Sequence, residues 1–151
     1  MKEKEFYSQK GTYNRVPLSK KIKAAKLIPI DLFDKFKSKG SYFLESAEVD
    51  MKWGRYSIIG LPSESSIKVK NSEIFLNLNG VEEKISSSDP LKFIENYLEE
   101  NFYPDKGDLP IFSGGLVGFF GYESIRLIES KLQNTSKNEA HEIEHINLLI
   151  S

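Results

Sequence analysis

Apolar residues recur along this chain at two spacings, one helical and one alternating. Leu32, Phe33 and Phe36 share a helical face, which predicts a helix over residues 31–39. Asp31 is placed to cap its first free amides. Lys35, Lys37 and Lys39 lie toward the negative end of its dipole, and Gly40 offers a left-handed stop. From residue 41 to residue 85 the pattern turns to short β-runs. Tyr42, Phe43 and Leu44 mark a strand over 41–46, and Tyr56, Ile58 and Ile59 mark one over 55–60. Ile67, Val69, Ile74, Phe75, Leu76, Leu78, Val81 and Ile85 then sit on alternating runs. Asn79-Gly80 separates two of these, and both residue types tolerate positive φ, so a tight hairpin is expected there. The runs predict an antiparallel meander rather than βαβ units.

A second helix opens at Asp89-Pro90, a capping side chain followed by proline at the first helical position. Leu91, Ile94, Tyr97 and Leu98 face one way, and Glu95, Glu99 and Glu100 the other. Residues 101–110 read as a turn-rich loop, 111–122 as an apolar glycine-rich stretch, 123–131 as a third helix and 132–145 as a polar loop. Ile146-Asn147-Leu148-Leu149-Ile150 reads as a strand that has only just begun, an ending expected of a chain cut short. Tyr13 to Leu18 is extended, because the residue before Pro17 is kept out of the helical region. The pattern predicts an α+β fold of antiparallel sheets, with helices 31–39, 90–100 and 123–131 on the outer faces.

Composition narrows the chemistry. The chain has 151 residues, 39% of them hydrophobic, enough for one domain with its own core. It has no cysteine, which removes thiol nucleophiles, zinc fingers and disulfide scaffolds. With 21 basic against 22 acidic side chains, the balance argues against a dedicated nucleic-acid binder. Residues 1–26 are the exception, with eight basic side chains against two acidic ones, and residues 1–12 are expected to form a flexible basic arm. No run of 18 apolar residues marks a membrane span, and no apolar signal core follows the charged start. A cytoplasmic protein is expected.

Several motifs invite a chemical reading. Gly114-Gly115-Leu116-Val117-Gly118-Phe119-Phe120-Gly121-Tyr122 lacks the spacing of a dinucleotide fingerprint and the Gly-Lys-Ser/Thr of a phosphate loop. Its glycines read as places of bending or close backbone approach. Lys52-Trp53-Gly54-Arg55-Tyr56-Ser57 reads either as a strand edge or as part of a small-molecule site. Phe43-Leu44-Glu45-Ser46 sets a carboxylate beside a hydroxyl, a pair able to hold the ammonium and carboxylate of a free amino acid. Glu45 has no second acid–base group at a diagnostic spacing. His141 and His145, four residues apart, could share a metal only on a helix.

Together these segments resemble the N-terminal region of the anthranilate synthase component I family. The likeness runs through Tyr13-Asn14-Arg15-Val16-Pro17, Phe43-Leu44-Glu45-Ser46, residues 52–60, Asp89-Pro90-Leu91 and residues 114–122, and reaches Ile128-Glu129. It implies that residues 13–151 are a truncated regulatory domain, with orthogonally packed sheets shared with a missing C-terminal chorismate-binding domain. It implies a lyase in the full-length protein, making anthranilate and pyruvate from chorismate and glutamine-derived ammonia in tryptophan synthesis. Magnesium would bind outside this chain, which would hold no cofactor and be inactive alone. A glutamine amidotransferase subunit is the implied partner. In that family a Leu-Leu-Glu-Ser motif builds part of a tryptophan feedback site. Phe43 stands here at its first position, and Glu45, Ser46, Arg55 and Tyr56 are the implied L-tryptophan contacts. The homologous component I of aminodeoxychorismate synthase, in folate synthesis, is the near alternative. A stand-alone amino-acid-binding or interaction module is the distant one.

Overall fold

The computed structural model describes residues 3–9, 11–46, 56–104, 112–132 and 145–151, which fall into two compact units. Residues 19–63 make the smaller unit, and 1–18 with 64–151 the larger.

In the larger unit, α1 (Glu3–Gln9) occupies the stretch read as a flexible arm. Three strands then follow as a meander: β3 (Ser66–Lys70), β4 (Glu73–Leu78) and β5 (Val81–Ile85), numbered after the two strands of the smaller unit, β1 (Tyr42–Glu45) and β2 (Ser57–Gly60). Both meander turns are two residues long with positive φ at each position. The expected one has Asn79 at 53° and Gly80 at 84°; the other, Asn71-Ser72, has 52° and 65°. Asparagine tolerates this region, but serine gives no such sequence signal, so the second turn is visible only from the strands it joins. Asn77 Oδ1 accepts from Gly80 N at 2.9 Å, which helps hold the first turn.

The last two strands are β6 (Leu116–Phe120) and β7 (Ile146–Ile150). All contacts are antiparallel, in the order β5-β4-β3-β7-β6. The apolar run 146–150 is therefore an inner strand, inserted between β3 and β6. Registers Val69↔Ile146, Ile67↔Leu148 and Val69↔Ile74 put Ile67, Val69, Ile74, Ile146, Leu148 and Ile150 on one face, and all are buried. α3 (Pro90–Asn101) closes this face with Ile94 and Tyr97. It starts as expected: Asp89 Oδ1 accepts from Lys92 N at 3.0 Å, and Pro90 follows.

The expected helix over 123–131 is broken. Tyr122–Ser124 and Ser130–Leu132 are 3₁₀ turns, and only α4 (Ile125–Ile128) between them is α-helical. Leu127 alone of this segment packs on the core, while Ile128 is 69% exposed. A segment this short needs a buried face to stay helical, and one leucine does not supply it.

Tyr13-Asn14-Arg15 forms a clasp on the end of α3. Arg15 N donates to Asn101 O and Tyr103 N donates to Arg15 O, both at 2.9 Å. The Arg15 guanidinium lies 5.8 Å from the Phe102 ring centroid, and Tyr13 meets Tyr103 edge-to-face at 5.7 Å.

In the smaller unit, α2 (Pro29–Phe36) starts two residues before the expected helix and ends three before it. Pro29, not Asp31, sets the start, because its fixed φ suits a first helical position. Asp31 sits inside the first turn and caps nothing. Lys37 takes an extended backbone, which ends the helix well before Gly40. Leu32 and Phe33 are half-buried, while Phe36, at the last helical position of the same face, is 60% exposed. Phe33 stacks on Phe43 at 5.5 Å, tying α2 to the β1–β2 pair.

Candidate functional site

The described residues among the expected ligand contacts, Glu45, Ser46 and Tyr56, lie at one end of a strand pair. β1 and β2 are antiparallel, with Tyr42 opposite Gly60, Phe43 opposite Ile59, Leu44 opposite Ile58 and Glu45 opposite Ser57. The apolar run 42–44 and the β-branched Ile58-Ile59 favour this pairing. At the other end of the pair a Cβ on Gly60 would fall within the Tyr42 ring, so a larger residue there would displace that side chain.

At the end joined by residues 46–56, Ser57 Oγ donates to Glu45 Oε1 at 3.0 Å. This bond holds the carboxylate on the face shared with Phe43 and Ile59. Ser46 is the first residue beyond β1, and Tyr56 the last before β2; continuing the register by one step sets them opposite each other. Strand alternation would send Glu45 and Ser46 to opposite faces. By the same continuation Tyr56 shares the face of Ser46. Glu45 and Ser46 are exposed and Tyr56 is 42% exposed.

Three of the four expected contacts, Glu45, Ser46 and Tyr56, thus lie at adjacent steps of the β1–β2 register, Glu45 on one face and Ser46 with Tyr56 on the other. Arg55 lies outside the described residues, as do Lys52, Trp53, Gly54 and His141. Ser57 is the residue that motif reading did not single out. Its role depends on which residue pairs with Glu45 across twelve positions of chain, and no local pattern carries that register.

Chemically the strand end offers one carboxylate already oriented by a hydroxyl, a second hydroxyl, and an aromatic ring. Such a set can bind a small zwitterion with an apolar side chain. The larger unit has a separate hollow of about 320 Å³ beside the clasp, lined by Asn14, Arg15, Phe102, Ser113 and Gly114 among others. Among the described residues no three His, Cys, Asp or Glu side chains come together as a metal site, and no helix is long and apolar enough to cross a membrane.

No family model matches the chain. Curated proteins do. Over 122 residues, 80% of this chain and 25% of the relative, it is 41% identical to anthranilate synthase component 1 of Pseudomonas aeruginosa. Over 141 residues, 92% of this chain and 29% of the relative, it is 37% identical to the protein of the same name from Pseudomonas putida. Over 154 aligned positions, 99% of this chain and 31% of the relative, it is 34% identical to that of Neisseria meningitidis. The chain therefore spans between a quarter and a third of the length of these relatives.

Proposed function

Because this chain belongs to the anthranilate synthase component 1 family, we propose that it is the tryptophan-sensing part of a longer enzyme. That enzyme would be a cytoplasmic lyase converting chorismate and glutamine-derived ammonia to anthranilate and pyruvate, with an amidotransferase subunit supplying the ammonia. These 151 residues would make no anthranilate by themselves. The names of the relatives favour this reading over the folate-pathway homologue.

The observation that carries the proposal is the β1–β2 register, which sets Glu45, held by Ser57, one step from Ser46 and Tyr56. The Glu45 carboxylate, held by Ser57, would offset the α-ammonium of tryptophan. The Ser46 hydroxyl would hydrogen-bond its head group, and Tyr56 would border the indole. Magnesium, when bound to the whole enzyme, would act on chorismate. In this reading the ion would be held by a part of the protein outside these 151 residues. Regulation would follow from tryptophan binding more tightly to one of two domain arrangements than to the other.

The test is Ser46→Ala in the full-length enzyme. Losing a hydrogen bond to a charged ligand group costs about 1.5–3 kcal/mol, so the inhibitory tryptophan concentration should rise at least about tenfold. Turnover without tryptophan should stay nearly unchanged. An inhibition curve that does not move would overturn the assignment.

A further inference from the structure

The five-stranded sheet ends differently at its two edges. β5 carries Glu82, Glu83 and Lys84, all exposed, and such charges discourage another strand from adding. β6, at the opposite edge, reads Leu116-Val117-Gly118-Phe119-Phe120, without charge or proline. Phe119 is 49% exposed and Phe120 55%.

The backbone of β6 is open as well. Gly115 and Ser151 exchange both hydrogen bonds, at 3.2 and 2.9 Å, and Gly121 N donates to His145 O. In an antiparallel ladder such bonded pairs alternate. Val117 and Phe119 are therefore bonded to β7, while Leu116, Gly118 and Phe120 turn their N–H and C=O groups outward, and no described strand pairs with them. Phe120 lies opposite the buried Ile146, on the core face, yet stands more than half exposed.

We propose that β6 is a strand-addition site, filled by an extended segment of the same protein that lies outside these 151 residues. This rests on the family reading, since the relatives are about three to four times as long as the stretch matched. An added strand would pair the outward groups of residues 116, 118 and 120, and its side chains would cover Phe120 on one face and Phe119 on the other. A second copy fits less well. Symmetric antiparallel pairing of β6 with itself would centre on Gly118, setting glycine against glycine where cross-strand side chains should meet.

Amide exchange decides the matter, comparing this chain alone with a chimera in which the remainder of the Pseudomonas aeruginosa relative continues it. In the chain alone, the Leu116, Gly118 and Phe120 amides should exchange quickly and those of Val117 and Phe119 slowly. In the chimera the first three should slow by about a hundredfold or more. Phe120→Pro removes one outward donor without touching a bond to β7, and should cut the slowing at Gly118 to under about tenfold. The Ile146 and Leu148 amides report whether the sheet is intact in each protein. Equal rates at 116, 118 and 120 in both proteins would overturn the proposal. So would slowing in the chain alone that grows with concentration, which would give the edge to a second copy. A chimera that makes anthranilate while β6 exchanges freely would sink the strand pairing and leave the family reading standing. Slow β6 amides in a chimera that makes none would do the reverse.

Discussion

Gly118→Ala tests the packing of the sheet most directly. A Cβ built on Gly118 would lie 2.9 Å from both Asn147 C and Leu148 Cα, and closer still to Asn147 O. Carbon atoms rest at about 3.5–4.0 Å, so the overlap is roughly 0.6–1 Å against each carbon. The opposing atoms are backbone, and no rotamer change relieves them. Nor can β7 retreat, because its other side is bonded to β3: Ile150 N donates to Ser65 O at 2.9 Å and His145 N to Val69 O at 2.8 Å. Overpacking of this kind costs about 1–3 kcal/mol, and an immobile neighbour puts this case at the upper end. At about 2–4 °C per kcal/mol for a chain of this size, the melting temperature should fall by roughly 6–12 °C. Gly80→Ala is the control. Unlike Gly118 it stands at positive φ, 84°, and a Cβ there meets nothing within 4 Å, so only the left-handed backbone is strained, at about 1–2 kcal/mol. Urea titration of both variants should give a lower midpoint for Gly118→Ala with the slope unchanged. If Gly118→Ala unfolds at the wild-type midpoint, or later than Gly80→Ala, the close approach of β6 and β7 is wrong.

Other consequences follow from single contacts. Glu45→Gln keeps an acceptor for Ser57 but removes the negative charge, so the tryptophan concentration inhibiting the full-length enzyme should rise by about tenfold or more while stability holds; an unmoved inhibition curve would remove Glu45 from the site. Asp89→Ala deletes the α3 cap and should lower stability by about 1 kcal/mol in urea titration, and a neutral result would mean the cap is not formed in solution. The hydrogen bond from Lys37, and then its positive charge, hold Asp34 below the usual carboxylate pKa. The Asp34–Lys37 pair is therefore favourable at pH values above the ordinary carboxylate pKa and is lost as pH falls through the lowered value. Both side chains are exposed, so the effect should appear in the NMR titration of Asp34, returning to normal in Lys37→Ala, and not in the melting temperature. Glu73→Gln breaks the 2.6 Å contact with Lys84 between half-exposed side chains and should change stability by less than about 0.5 kcal/mol in the same titration.

What the sequence determined by itself was local. Asn79-Gly80 forces its turn through backbone sterics, and Asp89-Pro90 starts α3 through a cap three residues away; both act over a few bonds and are legible in order. The candidate ligand residues were legible through the likeness of Phe43-Leu44-Glu45-Ser46 to a known motif, and the strand pair then brought Tyr56 to the same end. Tertiary structure decided the rest. Helical spacing over 123–131 yields only one turn of α-helix, because helix formation there depends on a buried face that the core does not provide. The run 146–150 becomes an inner strand because the sheet closes around it from residues some eighty and thirty positions earlier. Ser57 meets Glu45 only through the β1–β2 register. Register is a cooperative property of two separated segments, set by side-chain pairing across the strands and the faces they bury, and no stretch of either segment encodes it alone.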